Sequence, residues 1–216
     1  MPDQNITPRQ SPTAPEGKTS TSAKKHFFRA AAADFKKIPG SPIAYWLSNK
    51  MILAFSSGVA MQEYATPKQG FATGDNNRFL RQWYEIELLK FKVDSKNAKE
   101  AKDSGAKWFP CSKGGSFRKW FGNNFFVANW ANNGTEMTNF HGSVIRNPKF
   151  YFLEGITWST ISSSALSMRY SPQGFLFETK GSVCFPSEDS CLEYALALMN
   201  TKVVKEALLA ISPTLD

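Results

Sequence analysis

Histidine and cysteine are scarce in this chain, which limits the kinds of site it can hold. There are two histidines, His26 and His141, and three cysteines, Cys111, Cys184 and Cys191. The cysteines are odd in number and lack the spacing of metal ligands, and two histidines add little to a ligand set. We therefore expect no metal site, and we expect the reducing environment of the cytoplasm.

Long apolar runs are also missing. No run of apolar residues approaches the roughly 20 that a transmembrane helix requires. The N-terminus has charges and prolines where a secretory signal has an apolar segment. We therefore expect neither a membrane partner nor export.

Catalytic motifs are absent as well. The glycine-rich patterns G-x-G-x-x-G and G-x-x-x-x-G-K-[ST] do not occur, and neither does G-x-S-x-G. Two fragments, SPIA (41–44) and NPKF (147–150), partly match the [Asp/Asn/Ser]-Pro-Pro-aromatic loop of amino-methyltransferases, but both lack its second proline. Both lie at predicted element boundaries, where proline is common, so we interpret them as breaks between elements. We identify no catalytic residue.

Acidic residues are missing from one long stretch of this basic chain. The formal net charge of +8 is shared equally between residues 1–42 and the remainder, so it does not by itself indicate nucleic-acid binding. From Ser104 to Thr135, however, there is no carboxylate. Cations are interleaved with tryptophans there: Lys107, Trp108, Lys113, Arg118, Lys119, Trp120 and Trp130. Such a surface suits a polyanion that also presents flat bases, and a structural aromatic cluster among solvated lysines is the alternative.

Composition divides the chain into four parts. Residues 1–23 are rich in Pro, Ser and Thr and predict a disordered leader. Residues 24–58 predict two helices, 24–37 and 43–55, separated by IPGSP and closed by Gly58. Residues 59–187 are β-rich, with a polar insertion at 93–105 that reads as a short solvated helix, and residues 188–216 return to helical periodicity. The fold class is therefore α+β: N-terminal helices, a central curved sheet that is mostly antiparallel or mixed, and C-terminal helices.

Short runs of aromatic and β-branched residues bounded by Gly, Pro and Asn predict the strands. The candidates are 60–65, 69–73, 79–87, 125–130, 150–153, 156–162, 166–170, 175–178 and 182–185.

Four stretches carry a resemblance to a known family: DFKKIPGSPIAYWLS (34–48), TPKQGFATGDNNRFLRQWYEI (66–86), KWFPCSKGGSFRKWFGNNFFVANWANNG (107–134) and RNPKFYFLEGITWSTISSSALSMRYSPQGFLFETKGSVCF (146–185). In this order they resemble the target-recognition portion of adenine-specific DNA methyltransferases of the BREX phage-defence type, the PglX family. More distantly they resemble the specificity region of type IIG restriction-modification enzymes. The resemblance covers roughly residues 24–216.

The resemblance implies DNA binding without catalysis. Members of the family carry a glycine-rich cofactor motif and an Asn-Pro-Pro-aromatic motif before this region, and this sequence has neither. S-adenosylmethionine is therefore expected only in the full-length enzyme, and this chain, ending in a truncated helical segment, is expected to bind double-stranded DNA without methylating it alone. Two alternatives stay open: a specificity subunit acting with a separate catalytic chain or other defence-system proteins, and a non-enzymatic protein-interaction module.

The resemblance makes GFATGDNNRF (70–79) the first candidate DNA-contacting loop. Gly74 lets the backbone approach a duplex, the Thr73 hydroxyl can donate to phosphate, and Asn76 or Asn77 matches the edge of adenine. Arg78 or Arg81 can neutralise phosphate or bind guanine. The alternative is that Asp75-Asn76-Asn77 only tolerates left-handed geometry in a hairpin.

The second candidate loop is KGGSFRKWFGNN (113–124). Its paired glycines allow backbone amides to reach a phosphate, and its cations supply charge. We expect Trp120 to be buried in the core, since this is the commoner use of tryptophan in an apolar run. In GITWSTISSS, alternation predicts a Thr/Ser-rich face that is cheap to solvate and suits phosphate. From these two segments and the strands that follow, the candidates are Lys113, Gly114, Gly115, Arg118, Lys119, Trp158, Ser159, Arg169 and Lys180.

Overall fold

Helices lie at both ends of the described chain, and the strands lie between them. The computed structural model describes residues 28–161, 166–187 and 191–212. The predicted leader and the start of the first predicted helix lie outside these ranges. Within them, the α-helices are α1 (Ala32–Phe35), α2 (Asn49–Ser57), α3 (Asn76–Phe79), α4 (Ala98–Asp103), α5 (Ala131–Thr138), α6 (Leu192–Met199) and α7 (Lys202–Ile211).

Eight strands in these ranges form two four-stranded sheets. The strands are β1 (Ala65–Lys68), β2 (Leu80–Gln82), β3 (Trp108–Ser112), β4 (Phe126–Asn129), β5 (Gly155–Thr157), β6 (Arg169–Ser171), β7 (Leu176–Phe177) and β8 (Val183–Pro186). The first sheet has the order β1-β8-β5-β6 and is antiparallel throughout. The second has the order β2-β4-β3-β7, and its last pair, β3 with β7, is parallel.

The main core joins the two sheets. Phe109 of β3 and Val183 and Phe185 of β8 belong to the same buried cluster. Aromatic rings fill much of it, and Tyr151 makes edge contacts with the rings of Phe71 and Phe177. Burial of this much aromatic surface is the main stabilising contribution to the β-rich part of the chain.

The two ends of the described chain meet in a separate small cluster. Ile38, Ala44 and Ile52 pack against Ala210 of α7. The helical segments that precede and follow the sheets in sequence are therefore packed together in space.

The α+β class is confirmed, with the strands in two sheets rather than one curved sheet. The polar insertion does form a short helix, α4, and Gly58 does end α2. Helix α2 begins later than predicted, because the Ser48 hydroxyl accepts a hydrogen bond from the N–H of Met51 and caps the helix. Two strand predictions are wrong: 60–65 is mostly a 3₁₀ turn (Met61–Glu63), and 150–153 follows another (Pro148–Phe150).

The C-terminal helical segment is divided in two. Asn200 ends α6, and Thr201 caps α7 by accepting a hydrogen bond from the N–H of Val204. None of the helices in the described ranges has the length and apolar character needed to cross a bilayer.

Candidate nucleic-acid interface

Three chain segments run side by side in the same direction at the edge of the second sheet. Strand β3 is parallel to β7, with Ser112 opposite Phe177, and on the other side of β7 Phe71 pairs in parallel with Glu178. Parallel neighbours end at the same edge, so the chain that follows each segment emerges on one side of the sheet. We call this side the loop edge, and it comprises residues 73–77, 113–115 and 179–181.

The stretch GFATGDNNRF forms a capped turn of helix rather than a hairpin. Gly74 has φ +69°, and Asp75 accepts a hydrogen bond from the N–H of Arg78 and caps α3. Gly74 is needed inside the protein, because a Cβ there would lie 2.7 Å from the carbonyl carbon of Gly142. Asn76 and Asn77 are helical, so neither the predicted hairpin nor a left-handed Asn accounts for this sequence.

The two asparagines, Asn76 and Asn77, differ in their hydrogen bonds. Thr73 is buried, and its hydroxyl donates to Oδ1 of Asn76 at 2.7 Å. The prediction that this hydroxyl is free for phosphate is therefore wrong, and the Asn76 carbonyl is already engaged. The exposed side chain of Asn77 has no hydrogen bond to the part of the chain that the structure describes, which leaves its amide free for an external partner.

Both arginines of this loop have partners within the protein. The Arg78 guanidinium forms an ion pair with Glu136 at 2.9 Å and lies over the rings of Phe79 and Phe140. Arg81 donates to the carbonyl groups of Asn77 and Leu80. These contacts give both side chains a structural role and leave less of their charge available at the surface.

Gly114 of the second loop packs against the turn that precedes β8, and Gly115 packs against Asn123. Gly114 has φ +79°, and a Cβ there would lie 2.7 Å from the carbonyl oxygen of Lys180. Lys113 is half-buried, with its ammonium 5.3 Å from the centre of the Phe126 ring. The N–H groups of Gly114 and Gly115 donate to no acceptor within the described ranges.

The chain that follows β5 also reaches the loop edge. The N–H of Thr160 donates to the carbonyl of Lys180 at 3.1 Å, and the Ser159 hydroxyl donates to the carbonyl of Gly115 at 2.8 Å. Trp158 is half-buried and packs on the core between β5 and α6. The Lys180 side chain is exposed. The loop edge thus brings together residues that are far apart in sequence: Lys113, Gly115, Ser159 and Lys180.

The predicted solvated face of GITWSTISSS is wrong for its strand. Thr157 is buried, and its hydroxyl donates to the carbonyl of Ser182 at 3.0 Å. All three residues of β5 are buried: the strand is central in its sheet, and Ile156 packs in a cluster with Leu192 and Ala195 of α6. Within the described part of this stretch, polar side chains reach the surface only after the strand, at Ser159 and Thr160.

The chain from Phe117 to Phe125 presents aromatic side chains to solvent. Trp120 is 53% exposed, so the prediction that it lies in the core is wrong. Its backbone has φ +74° and is fixed to β6: its N–H donates to the carbonyl of Met168, and its carbonyl accepts from Tyr170. The backbone is therefore tied down while the ring points outward. Phe117, Phe121 and Phe125 are exposed beside it.

The cations of this segment differ in their partners. Arg118 is exposed, whereas the Lys119 ammonium donates to the carbonyl of Asn200 at 2.6 Å, at the C-terminal end of α6. A cation at that end of a helix is favoured by the helix dipole. Lys119 therefore serves to join this segment to the C-terminal helices.

Arg169 is buried, not a surface contact as predicted. It is 1% exposed, and burial is the first cause that lowers the pKa of its guanidinium, followed by the charge of Arg118. Glu178 is the buried carboxyl of this region, and burial raises its pKa while Lys113 and Lys180 oppose the rise. Among the described residues, no ion pair engages Lys113, Arg118 or Lys180.

The loop edge thus combines cations that form no ion pair with unpaired backbone N–H groups. The exposed aromatic rings lie on the segment that follows it in sequence, from Phe117 to Phe125. No cluster of metal-ligating side chains occurs in the described ranges. Sequence reasoning missed Trp120 and Phe121 as surface residues. The signal available for them was the group of Gly and Asn residues around them, of which Gly122 and Asn123 adopt positive φ.

These features define a class: an α+β module with exposed cations and aromatic rings on the loops that connect its strands. No family model matches the chain. The chain is 40% identical over 199 residues to the adenine-specific methyltransferase PglX of Lacticaseibacillus casei (strain Zhang), which is 88% of the chain and 16% of that relative. It is 40% identical over 186 residues to the adenine-specific methyltransferase BrxX of Escherichia coli O9:H4 (strain HS), which is 85% of the chain and 15% of that relative.

The resemblance predicted from the sequence is therefore confirmed: over most of its length, the chain is homologous to a part of the PglX and BrxX adenine-specific methyltransferases. The chain spans about one sixth of the length of these curated relatives.

Proposed function

We propose that the chain is the DNA-binding target-recognition segment of a BREX-type adenine-specific (N6) DNA methyltransferase, with residues 59–187 as its core. The observation that carries this proposal is the loop edge. Three parallel segments deliver Asn77, Lys113 and Lys180 to one side of a sheet, where neither lysine has an ion-pairing carboxylate.

The chemistry of the edge suits a DNA duplex. Exposed or half-buried cations beside free backbone N–H groups match phosphate oxygens, and these contacts position a protein on DNA. The Asn77 amide offers a donor and an acceptor for the adenine edge. Outside the loop edge, on the segment paired with β6, the exposed Trp120 offers a face for stacking. The relatives are named adenine-specific methyltransferases, which supports DNA as the partner.

The methyl transfer itself is assigned to polypeptide outside this sequence. The chain has no glycine-rich cofactor motif and no complete Asn-Pro-Pro-aromatic motif. We accordingly propose no S-adenosylmethionine site and no catalytic residue within it.

A salt titration tests the proposal. Fluorescence anisotropy of a labelled duplex is measured over a series of salt concentrations. Contact with about four phosphates predicts a slope of roughly −3 to −4 for log K against log salt. A signal that does not change with salt would contradict DNA binding through this surface.

Single charge changes locate the interface. Lys180→Gln should weaken binding on all duplexes and reduce the magnitude of the salt slope by about 1, because one phosphate contact is lost. Lys102→Gln, on the exposed side of α4, is the matched control and should leave the slope unchanged. Equal effects of the two changes would mean that overall charge, not the loop edge, drives binding.

A second candidate is an interaction module for a separate catalytic chain. The observation that favours it is an exposed apolar run outside the loop edge, where Leu89 is 94% exposed and Leu88, Trp83 and Tyr84 are also exposed. Its proposed occupant is polypeptide corresponding to the remaining five sixths of the relatives. Size-exclusion chromatography with that polypeptide separates the cases: a complex that forms without DNA and is lost in Leu89→Ser supports this second candidate.

A further inference from the structure

Arg169 is a buried cation whose hydrogen bonds are incomplete. Its Nη1 lies 3.5 Å from the carbonyl oxygen of Arg118, and its Nη2 lies 3.4 Å from the Ser159 hydroxyl. Both distances are at the long limit for a hydrogen bond. Its Nε has no partner at all and is shielded from solvent. A guanidinium has five N–H donors, so most of its donor capacity is unused.

The charge of Arg169 is also unbalanced. Within the described ranges no carboxylate forms an ion pair with it, and the charged group that acts on it is another cation, Arg118. Glu178, the buried carboxyl of this region, is acted on by Lys113 and Lys180 instead. Burying a cation without a counter-ion is strongly unfavourable, so a buried arginine of this kind favours the binding of an anion close to it.

The groups around Arg169 are of the kinds that can bind an anion. Ser159 links the guanidinium to the surface: its oxygen is near Nη2 of Arg169, and its hydroxyl contacts the carbonyl of the exposed Gly115. The N–H groups of Gly114 and Gly115 have no acceptor in the part of the chain described here. The exposed side chain of Arg118 lies on the same segment.

We propose that Arg169, Arg118, Ser159 and the N–H groups of Gly114 and Gly115 form a binding site for a phosphate oxyanion. The anion is held by the Arg118 guanidinium and the loop N–H groups, of which that of Gly115 is on an exposed residue and that of Gly114 on a buried one. The nearby Arg169 adds positive charge, and Ser159, whose hydroxyl hydrogen is donated to the Gly115 carbonyl, positions the loop over the guanidinium. When the phosphate belongs to DNA, this inference rests on the proposed function and adds one fixed, desolvated phosphate contact to it. Free phosphate is the other source of the same chemistry.

Thermal unfolding in phosphate tests the site without DNA. The midpoint is measured in sodium phosphate and in sodium chloride at equal ionic strength. Wild type should unfold at a temperature about 2–4 °C higher in phosphate, because an anion that binds only the folded state stabilises it. In Arg169→Met the increase should disappear, and the midpoint in chloride should be unchanged or higher, since an unpaired buried charge has been removed.

Two further variants keep the test decisive. If Arg169→Met fails to fold, Arg118→Gln at an exposed position should reduce the phosphate-dependent increase by at least half. Lys102→Gln on α4 should keep the full increase. A wild-type protein with no increase in phosphate, or an increase that persists in Arg169→Met and Arg118→Gln, overturns the site.

Duplex binding distinguishes this site from the proposed function. Salt-dependent DNA binding together with no phosphate effect refutes the phosphate site and leaves the proposed function standing. A phosphate effect lost in the variants, without any DNA binding, supports a site for free phosphate and refutes DNA recognition. Loss of both signals in Arg118→Gln supports a phosphodiester at this position.

Discussion

At the scale of single residues, two glycines with the same backbone conformation should respond differently to substitution. Gly74 and Gly105 have φ values of +69° and +68°. A Cβ on Gly105 would meet nothing within 4 Å, whereas one on Gly74 would overlap the backbone of Gly142 and Ser143. Gly105→Ala should cost about 1–2 kcal/mol for left-handed strain alone. Gly74→Ala should cost about 1–3 kcal/mol more, because the overlap is with backbone that cannot move aside easily.

Urea unfolding monitored by tryptophan fluorescence measures both free energies. Equal destabilisation by the two substitutions would show that the packing of Gly74 against Gly142 is loose. DNA binding by Gly105→Ala should remain unchanged, since Gly105 lies outside the loop edge.

Glu178 should make stability depend on pH. Burial raises the pKa of this carboxyl above its ordinary 4.5, with Lys113 and Lys180 opposing the rise. The folded state therefore holds its proton more tightly than the unfolded state. The stabilisation this gives is present below pH about 4.5 and is lost as pH rises through the folded pKa. Glu178→Gln should remove this loss, so the variant should gain stability relative to wild type as pH is raised.

The measurement is the free energy of unfolding at several pH values from acid to neutral. Glu87→Gln, at an exposed carboxyl, is the control and should follow wild type. If the free energy of unfolding of Glu178→Gln changes with pH in parallel with that of wild type, burial does not raise the pKa of Glu178.

The kinds of residue at the candidate site were predictable from the sequence. Their hydrogen bonds within the protein and their burial were not. The sequence offers Asn76 and Asn77 as equivalent readers of adenine. Only the fold shows that Thr73 occupies the carbonyl of Asn76. Arg169 likewise reads as a surface cation in an alternating strand, because nothing local reveals that β6 is covered by the segment around Trp120.

At the scale of elements, prediction from the sequence fails where a residue's conformational preference opposes the element in which it lies. Strand β3 contains Pro110, and proline is unusual inside a sheet. It is tolerated because β7 is paired with β3 only from Cys111 onward, so the missing N–H of Pro110 interrupts no bond to β7. Helix α5 begins with Asn132, Asn133 and Gly134 in left-handed conformations, which predict a turn rather than a helix. By contrast, β4 and α4 follow their local patterns and were predicted.

The junction between α6 and α7 should depend on one side chain. Asn200 is buried, accepts from the N–H of Met168 and donates to its carbonyl, at 3.1 and 2.9 Å. Asn200→Ala would leave the N–H of Met168 unpaired, while the Met168 carbonyl would keep the hydrogen bond from the N–H of Trp120. The free energy of unfolding should therefore fall by about 1–3 kcal/mol. The amide of Met168 should exchange with solvent faster, which hydrogen-exchange mass spectrometry measures.

Asn139→Ala is the control for this change. Asn139 ends α5, is exposed, and its side chain makes no hydrogen bond to the described part of the chain. It should alter stability by less than about 0.5 kcal/mol. If Asn200→Ala behaves in the same way, the C-terminal helices are not held to β6 through this residue.

At the scale of the whole molecule, the loop edge is a product of topology. Residues 71, 112 and 177 become neighbours through parallel pairing, which brings together stretches separated by long intervals of sequence. Local patterns predict each segment but not the pairing between them. The sequence therefore supplied the two glycine-bearing loops as candidates, and the fold supplied their common side.

The same scale decides whether this chain acts alone. One cavity in the described ranges, about 420 Å³ between β6 and α6, is lined by Glu154, Tyr170, Pro186, Cys191, Leu192, Glu193 and Leu196. This lining has no glycine-rich turn to hold a nucleotide-like cofactor.

We expect the chain to show no heat of binding to S-adenosylmethionine in calorimetry and to transfer no labelled methyl group to DNA. Its affinity for duplex should be the same with and without the cofactor. Because the homology reaches only about one sixth of PglX, full-length PglX of Lacticaseibacillus casei is the positive control for methyl transfer. Methylation by this chain alone would show that the catalytic groups lie within its own sequence and that the division between recognition and chemistry is wrong.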